Sequence, residues 1–269
     1  MTAHLVPIVE ARLIDLLRSL DAREWALQTV APAWRVKDVA AHLLDTQQRQ
    51  ASRLRGGPQP PPAIRSNADL VAFINRQNAE GVRRYRRLDP SHLIALLEEG
   101  AREFAEYHRS LDPFADAPFG VSWAGEETSA NWFHTAREFT ERWHHQQQIR
   151  LAVGKPGIMT PELYHPVLDC FMRALPFTYR GKARAPGTLA RFTVSGDCGA
   201  SWHLSRDAGG WRLVDSPTAT PVSETTIPQE IAWQIFTKGM SREAAEPQVQ
   251  VKGDTDLGLH VLAMIAIVG

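Results

Sequence analysis

The sequence has few cysteines, no excess of charge of either sign and no long apolar run, and each absence excludes a class of protein. Its 269 residues include two cysteines, Cys170 and Cys198, which form no C-x-x-C pair and are too few for a disulfide framework. We therefore expect a reduced, cytoplasmic compartment. Thirty basic and thirty acidic residues cancel, so neither nucleic acid nor an anionic membrane is an expected partner.

Membrane and secretory classes are also disfavoured. The first seven residues lack a basic segment before an apolar core, so they do not predict a signal peptide. No apolar run approaches the roughly 18 residues that a membrane-spanning helix needs. A hydrophobic fraction of 43% and a charged fraction of 22% are instead typical of a globular protein with a real core.

Apolar residues at the 3–4 spacing of amphipathic helices predict a helical region of about 155 residues at the N-terminal end. The predicted helices cover 6–20 and 36–54, one after Ser66-Asn67, one after Asp89-Pro90, and a long one over 129–153 that Thr128 or Ser129 caps and Gly154 ends. Glycine and prolines over 56–62 predict a break, and 112–127 predicts a loop.

Beyond a further helix over 161–175 and a basic linker over 180–187, the apolar period changes to two, which indicates strands. Ala190, Phe192 and Val194 alternate with polar residues. Trp202 and Leu204 face Trp211 and Leu213 across Asp207–Gly210, which predicts a β-hairpin. We further predict a helix over 226–240 with Pro228 in its first turn, a strand over 249–252, and a final helix that Asp254 caps and that runs through Ile267.

Two helical segments about a hundred residues apart carry side chains of the kinds that bind metal ions. One is Trp34-Arg-Val-Lys-Asp-Val-Ala-Ala-His42-Leu, and the other is Glu141-Arg-Trp-His-His145. An i,i+4 pair such as Glu141 and His145 projects from one helical face. Two histidines and one carboxylate would leave metal coordination positions open for water or substrate. The sequence therefore suggests a metalloenzyme.

The long helix allows a simpler interpretation as well. His134, Glu138, Glu141, His145 and Gln148 form a polar stripe opposite an apolar one, and such a stripe can be no more than a solvated outer face. Within the stripe, His134 and Glu138 are candidates for hydrogen-bond partners of the ligating histidines. His144 is turned about 100° from His145, so we assign it to packing or hydrogen bonding.

Both segments resemble the signature of the DinB-like metal-binding helical bundles, in the branch that includes mycothiol-dependent maleylpyruvate isomerase. Trp233–Gly239 and Val249–Asp254 resemble parts of the sterol-carrier-like domain that follows the bundle in that branch. The resemblance implies an α plus α+β fold: a DinB-like four-helix bundle over 1–155, a linker helix over 156–180 and a small sterol-carrier-like domain over 181–269. It also implies that His42, Glu141 and His145 are the metal ligands.

The function that the resemblance implies is a metal-dependent isomerase or S-transferase that uses an exogenous low-molecular-weight thiol such as mycothiol on a small electrophilic substrate. Zinc is the first choice of metal, with nickel or iron as alternatives. Cys170 is expected in the core and Cys198 in a turn, so the reacting thiol comes from outside. The family's C-terminal domain contributes an arginine, for which Arg191, Arg206 and Arg212 are available here. A metal-dependent hydrolase and a non-enzymatic carrier of apolar ligands are the alternatives.

Overall fold

The computed structural model of the chain describes residues 1–55 and 66–267, which form two compact units. The first unit contains Met1–Asp116 and Ala130–Ile158, and the second contains Ala117–Ser129 and the residues from Met159 onward. The first unit is helical and the second is built on a five-stranded sheet, so the predicted α plus α+β class is confirmed. The break predicted over 56–62 lies outside the described residues.

Five α-helices account for most of the described part of the first unit. They are α1 Val6–Arg18, α2 Val36–Leu54, α3 Asn67–Tyr85, α4 Pro90–Ser110 and α5 Asn131–Val153. Local signals set several of these bounds. The Ser66 hydroxyl accepts a hydrogen bond from the Asp69 backbone N–H at 3.1 Å and so caps α3. Gly154 ends α5 in the left-handed region, at φ 66°.

The core of the first unit lies among α1, α2, α4 and α5. Its members are apolar side chains that are almost completely buried, among them Leu13, Leu17, Val39, Leu43, Leu97 and Ile149. Helix α3 packs on α2, where Arg86 is paired with the buried Asp38 at 3.2 Å. In the part of the chain that the structure describes, no helix is both long enough and apolar enough to cross a membrane.

The second unit contains both helices and strands. In chain order they are α6 Pro161–Met172, α7 Leu175–Tyr179, β1 Leu189–Ser195, β2 Ser201–Arg206, β3 Trp211–Val214, β4 Ser223–Pro228, α8 Gln229–Phe236, α9 Arg242–Ala245, β5 Gln250–Gly253 and α10 Thr255–Leu259. Helix α6, expected as part of a linker, belongs to this unit. Its Phe171 packs edge-on against Phe236 of α8, with ring centroids 5.9 Å apart.

The strands lie in the order β3-β2-β1-β4-β5, with β1 and β4 parallel and the other neighbours antiparallel. The predicted hairpin is present as β2 and β3. Leu204 pairs with Leu213, but Arg206 rather than Trp202 lies opposite Trp211. Buried Tyr179 joins the helices to the sheet, because its ring packs 5.5 Å from Phe192 and its hydroxyl donates to the Leu257 carbonyl at 2.8 Å.

Two predicted helices in the second unit are wrong in extent. Residues 226–228, predicted as the start of a helix, belong to β4 (Ser223–Pro228), and the helix begins only at Gln229, after Pro228. The alternating burial of Ser223, Thr225 and Ile227 is that of a strand inside a sheet. At the C-terminal end, the Asp254 carboxylate caps α10 as predicted, but this helix ends at Leu259 and a 3-10 turn over His260–Ala263 follows it.

Candidate functional site

Helix α5 presents the candidate ligands from a segment that is buried on more than one face. His134, His145 and Gln148 from the polar stripe are each at most 7% exposed, while Phe139 and Trp143 from the apolar stripe are completely buried. The interpretation of the polar stripe as a solvated outer face is therefore wrong. Imidazole and amide groups that are taken out of water need polar partners.

His145 and Glu141 lie one turn apart and face each other. The His145 Nε2 atom is 3.4 Å from a carboxylate oxygen of Glu141. The Glu141 side chain remains 40% exposed, whereas His145 is 7% exposed as a residue. The pair therefore joins a buried imidazole to a carboxylate that solvent can reach, as a site that admits a ligand requires.

Helix α2 brings His42 to the same place. The rings of His42 and His145 meet edge to face, with centroids 4.6 Å apart. His42 is 5% exposed, and its Nδ1 atom is buried without a hydrogen-bond partner. The half-buried indole of Trp34 covers both rings, at 4.6 Å from His42 and 5.9 Å from His145. His145 therefore contacts both Glu141 of its own helix and His42, which comes from a helix far away in the sequence. Among the described residues, the candidate ligand atoms that lie within 4.8 Å of one another belong to Glu141, His144 and His145, and His42 is not part of that group.

His144 lies closer to the site than the angular argument suggested. Glu141, His144 and His145 can each offer one ligand atom such that the three atoms lie within 4.8 Å of one another. On a regular helix, the direction of Glu141 lies between those of the two histidines, about 60° from His144 and about 40° from His145. A single carboxylate can therefore approach both rings, and the angle between neighbouring residues alone does not exclude His144.

Burial keeps two of these imidazoles neutral. Loss of solvation is the main cause that lowers the pKa of His42 well below its ordinary value, and the nearby His145 is the next. The same two causes lower the pKa of His144. Neutral imidazole is the form that binds a metal ion, so a site of this kind needs no proton removed from His42 near neutral pH.

A buried ion pair next to the site escaped the sequence-based reasoning. The guanidinium of Arg142 lies 3.1 Å from the Glu10 carboxylate of α1 and donates to the Leu43 carbonyl of α2 at 2.9 Å. Burial raises the pKa of Glu10, although Arg142 opposes that shift. Because Leu43 follows His42 and Arg142 follows Glu141, this pair joins α1, α2 and α5 beside the candidate ligands.

His134 and Glu138 lie in a second polar cluster with His108 of α4. The rings of His108 and His134 are 5.5 Å apart, and His108 Nδ1 is 3.1 Å from the Thr135 hydroxyl. Burial acts to raise the pKa of Glu138, but the charges of His134, His108 and neighbouring arginines hold it below its ordinary value. The role of His134 and Glu138 as partners of the ligating histidines stays a prediction.

The two cysteines are buried, form no disulfide and lie in the second unit. Cys170 is a core residue of α6 and Cys198 lies in a turn, as expected. Burial raises the pKa of the Cys198 thiol, so this group is protonated at neutral pH. Both residues are at most 4% exposed, whereas nucleophilic cysteines are partially exposed.

Each of the three candidate arginines has a polar partner in the second unit. Arg191 is paired with Glu224 on the neighbouring strand, and Arg212 is paired with Asp207 at 2.7 Å. Arg206 donates a hydrogen bond to the Asp207 carbonyl. These contacts do not distinguish one arginine as a substrate-binding group.

The protein is a helical-bundle protein with a candidate metal site and a second, α+β unit. The cluster of imidazoles and a carboxylate in the helical unit is the basis for this class. The chain belongs to the family described as the mycothiol maleylpyruvate isomerase N-terminal domain, whose model matches residues 6–150. No curated protein matches the chain in sequence.

Two solved structures share the fold. A crystal structure of the mycothiol-dependent maleylpyruvate isomerase has a TM-score of 0.52 and 10% sequence identity, and the match covers 87% of this chain and 86% of that one. A histidine-to-alanine mutant of the mycothiol-dependent maleylpyruvate isomerase gives the same TM-score and identity, over 93% of this chain and 91% of that one. At this identity, the likeness shows the fold and no particular substrate.

Proposed function

We propose that this protein is a metal-dependent enzyme that uses a low-molecular-weight thiol such as mycothiol, either as an isomerase or as an S-transferase. The observation that supports the proposal is that His145 contacts both Glu141 and the ring of His42, which is buried and whose Nδ1 has no hydrogen-bond partner. A buried polar atom of this kind is expensive unless something binds it. A metal ion held by these three side chains would give the buried imidazoles the polar partner that they need.

Zinc is the first choice for that ion, and nickel or iron are alternatives, because imidazole and carboxylate ligands accept all three. Three protein ligands leave coordination positions open, and a metal-bound thiol is deprotonated at neutral pH, whereas a free thiol has a pKa of about 8.5. The chain's own contribution is to hold two imidazoles and a carboxylate together.

The thiol must come from outside, since Cys170 and Cys198 are both buried in the second unit. A thiolate that adds to an activated double bond allows rotation about the resulting single bond. Its departure restores the double bond and returns the thiol unchanged, which is cis–trans isomerisation of a maleylpyruvate-like substrate. If the new carbon–sulfur bond persists, the reaction is S-transfer. Two buried cysteines that form no disulfide also favour a cytoplasmic location, where thiols remain reduced.

The metal assignment is tested by elemental analysis of purified single variants. We expect His42→Ala, Glu141→Gln and His145→Ala each to lose most of the bound metal while the circular dichroism stays helical. His92→Ala is the matched control, because its side chain is 72% exposed. Full metal content in all three ligand variants would contradict the assignment.

A second arm of the same experiment addresses His144 and the alternative functions. His144→Ala should keep its metal if His42 completes the ligand set, and should lose it if His144 does. Turnover of electrophilic substrates that requires added thiol supports the proposal. Metal-dependent hydrolysis without thiol would indicate the hydrolase, and a metal-free protein that binds apolar ligands would indicate the carrier.

A further inference from the structure

One side chain touches both adjacent histidines of α5. The amide of Gln148, which is 5% exposed, lies 2.9 Å from His145 Nδ1 through its oxygen and 3.1 Å from His144 Nε2 through its nitrogen. Gln148 reaches both rings because it lies three and four residues beyond them, on the same side of the helix.

The chemistry of a primary amide gives the two rings opposite roles. The oxygen only accepts hydrogen bonds and the nitrogen only donates them. His145 therefore donates from Nδ1, and His144 accepts at Nε2. A neutral imidazole carries one proton, so the neutral form of His145 has its lone pair on Nε2, the atom that faces Glu141 at 3.4 Å, and the neutral form of His144 has its proton on Nδ1.

We propose that Gln148 is a positioning residue that selects which histidine of the adjacent pair can bind the metal. Its amide holds His145 in the tautomer with a free Nε2 lone pair and occupies the only lone pair of neutral His144. This inference rests on the proposed function for the identity of the ligand, but the tautomers themselves can be measured in metal-free protein.

The selection also argues against His144 as a metal ligand. His144 lies near enough to join Glu141 and His145, but its Nε2 is engaged by Gln148 and its Nδ1 is protonated. His42 has a buried Nδ1 without a partner and supplies the second imidazole instead. If the amide were turned over, Nδ1 of His145 would accept, Nε2 would carry the proton toward Glu141, and neither atom could bind a metal.

The decisive measurement is the tautomeric state of the full-length, metal-free protein, read from long-range proton–nitrogen NMR correlations. We expect the proton of His145 on Nδ1 and that of His144 on Nδ1. Zinc affinity, measured by competition with a chelator, gives the second readout. Gln148→Leu, which can neither accept nor donate, should bind zinc 10- to 100-fold more weakly.

Gln148→Glu is the rescue variant. Its carboxylate still accepts from His145 Nδ1, so zinc affinity should stay much nearer to wild type than in Gln148→Leu, a difference that a purely structural role would not produce. Gln147→Leu is the matched control, because Gln147 is a neighbouring buried glutamine of α5.

Three outcomes would overturn the inference: His145 protonated on Nε2 in the metal-free wild type, Gln148→Leu with unchanged zinc affinity, or equal losses in the leucine and glutamate variants. A wild type that binds no metal but shows the expected tautomers would instead overturn the proposed function and leave only the control of the two tautomers by Gln148 in place. Circular dichroism of each variant checks the fold, and the wild-type NMR measurement decides the matter even if Gln148→Leu does not fold.

Discussion

His108 shows how a single buried side chain links the stability of the first unit to pH. Burial is the main cause that lowers its pKa to about 4 from an ordinary value of 6.5. The folded protein therefore keeps His108 neutral between these values, while the unfolded chain takes up a proton. Stability that is present above pH 6.5 is lost progressively as the pH falls toward 4.

We predict that His108→Gln makes the protein less sensitive to acid. Between pH 7 and pH 4.5, the free energy of unfolding of the wild type should fall by about 2.5 kcal/mol more than that of the variant. This figure follows from the lowered pKa of His108, because each pKa unit corresponds to about 1.36 kcal/mol. Denaturant unfolding at the two pH values measures this difference. The exposed His92→Gln variant should behave as wild type, and an equal acid sensitivity of His108→Gln and wild type would contradict the lowered pKa.

The sequence alone identified the candidate metal ligands but not the side chains that surround them. Glu141 and His145 are visible as an i,i+4 pair, and His42 is visible through the motif in which it lies. The partners of His108 are Gln50 on α2 and Thr135 on α5, which no local pattern joins to a histidine of α4. The buried ion pair of Arg142 could not be predicted for the same reason, because its partners lie on α1 and α2.

Among the helices, α3 depends on one close approach to α2. A Cβ atom placed on Gly81 would lie 2.1 Å from the carboxyl carbon of Asp45, which is 3% exposed and paired with Arg49 at 2.8 Å. Real Cβ atoms do not come so near another atom. The two helices can therefore keep this separation only with glycine at position 81.

We predict that Gly81→Ala destabilises the protein by about 1–3 kcal/mol, the usual cost of overpacking. Helix propensity alone predicts the opposite sign, a gain of about 1 kcal/mol from replacing glycine by alanine. Thermal or denaturant unfolding distinguishes the two. Gly181→Ala is the control, because nothing lies within 4 Å of a Cβ atom at that position. A stabilised Gly81→Ala variant would mean that Asp45 can move aside.

The extent of elements was predictable where local signals set it. Proline in the first turn, the Ser66 cap and Gly154 marked ends of helices that the structure confirms. Strand β4 was missed because its pairing is non-local: β1 flanks it in parallel on one side and β5 antiparallel on the other. Pro228 at the end of this strand looks locally like the first turn of a helix, and only the sheet shows that the helix begins one residue later.

The division of the chain into two units places all three proposed metal ligands in the first unit. His42, Glu141 and His145 all lie within Met1–Asp116 and Ala130–Ile158. We predict that a chain ending at Ile158 binds one zinc ion with the affinity of the full-length protein. Ile158 must be kept, because its carbonyl accepts a hydrogen bond from the buried Trp143 indole at 2.9 Å.

Isothermal titration of that fragment and of a chain beginning at Met159 measures the prediction. Zinc bound by the second fragment and not by the first would place the ligands elsewhere. A fragment ending at Ile158 that stays helical but carries His145→Ala serves as the negative control.

The burial of both sulfurs has a consequence for the survival of the protein. A catalyst that handles electrophiles is exposed to compounds that alkylate any accessible thiolate, its own included. Cys170 and Cys198 are 4% and 2% exposed, and the pKa of Cys198 is raised by burial. Neither cysteine thiol of the folded chain is readily accessible to such compounds. Under the proposed function, alkylation would therefore fall on the replaceable small thiol rather than on these two cysteines.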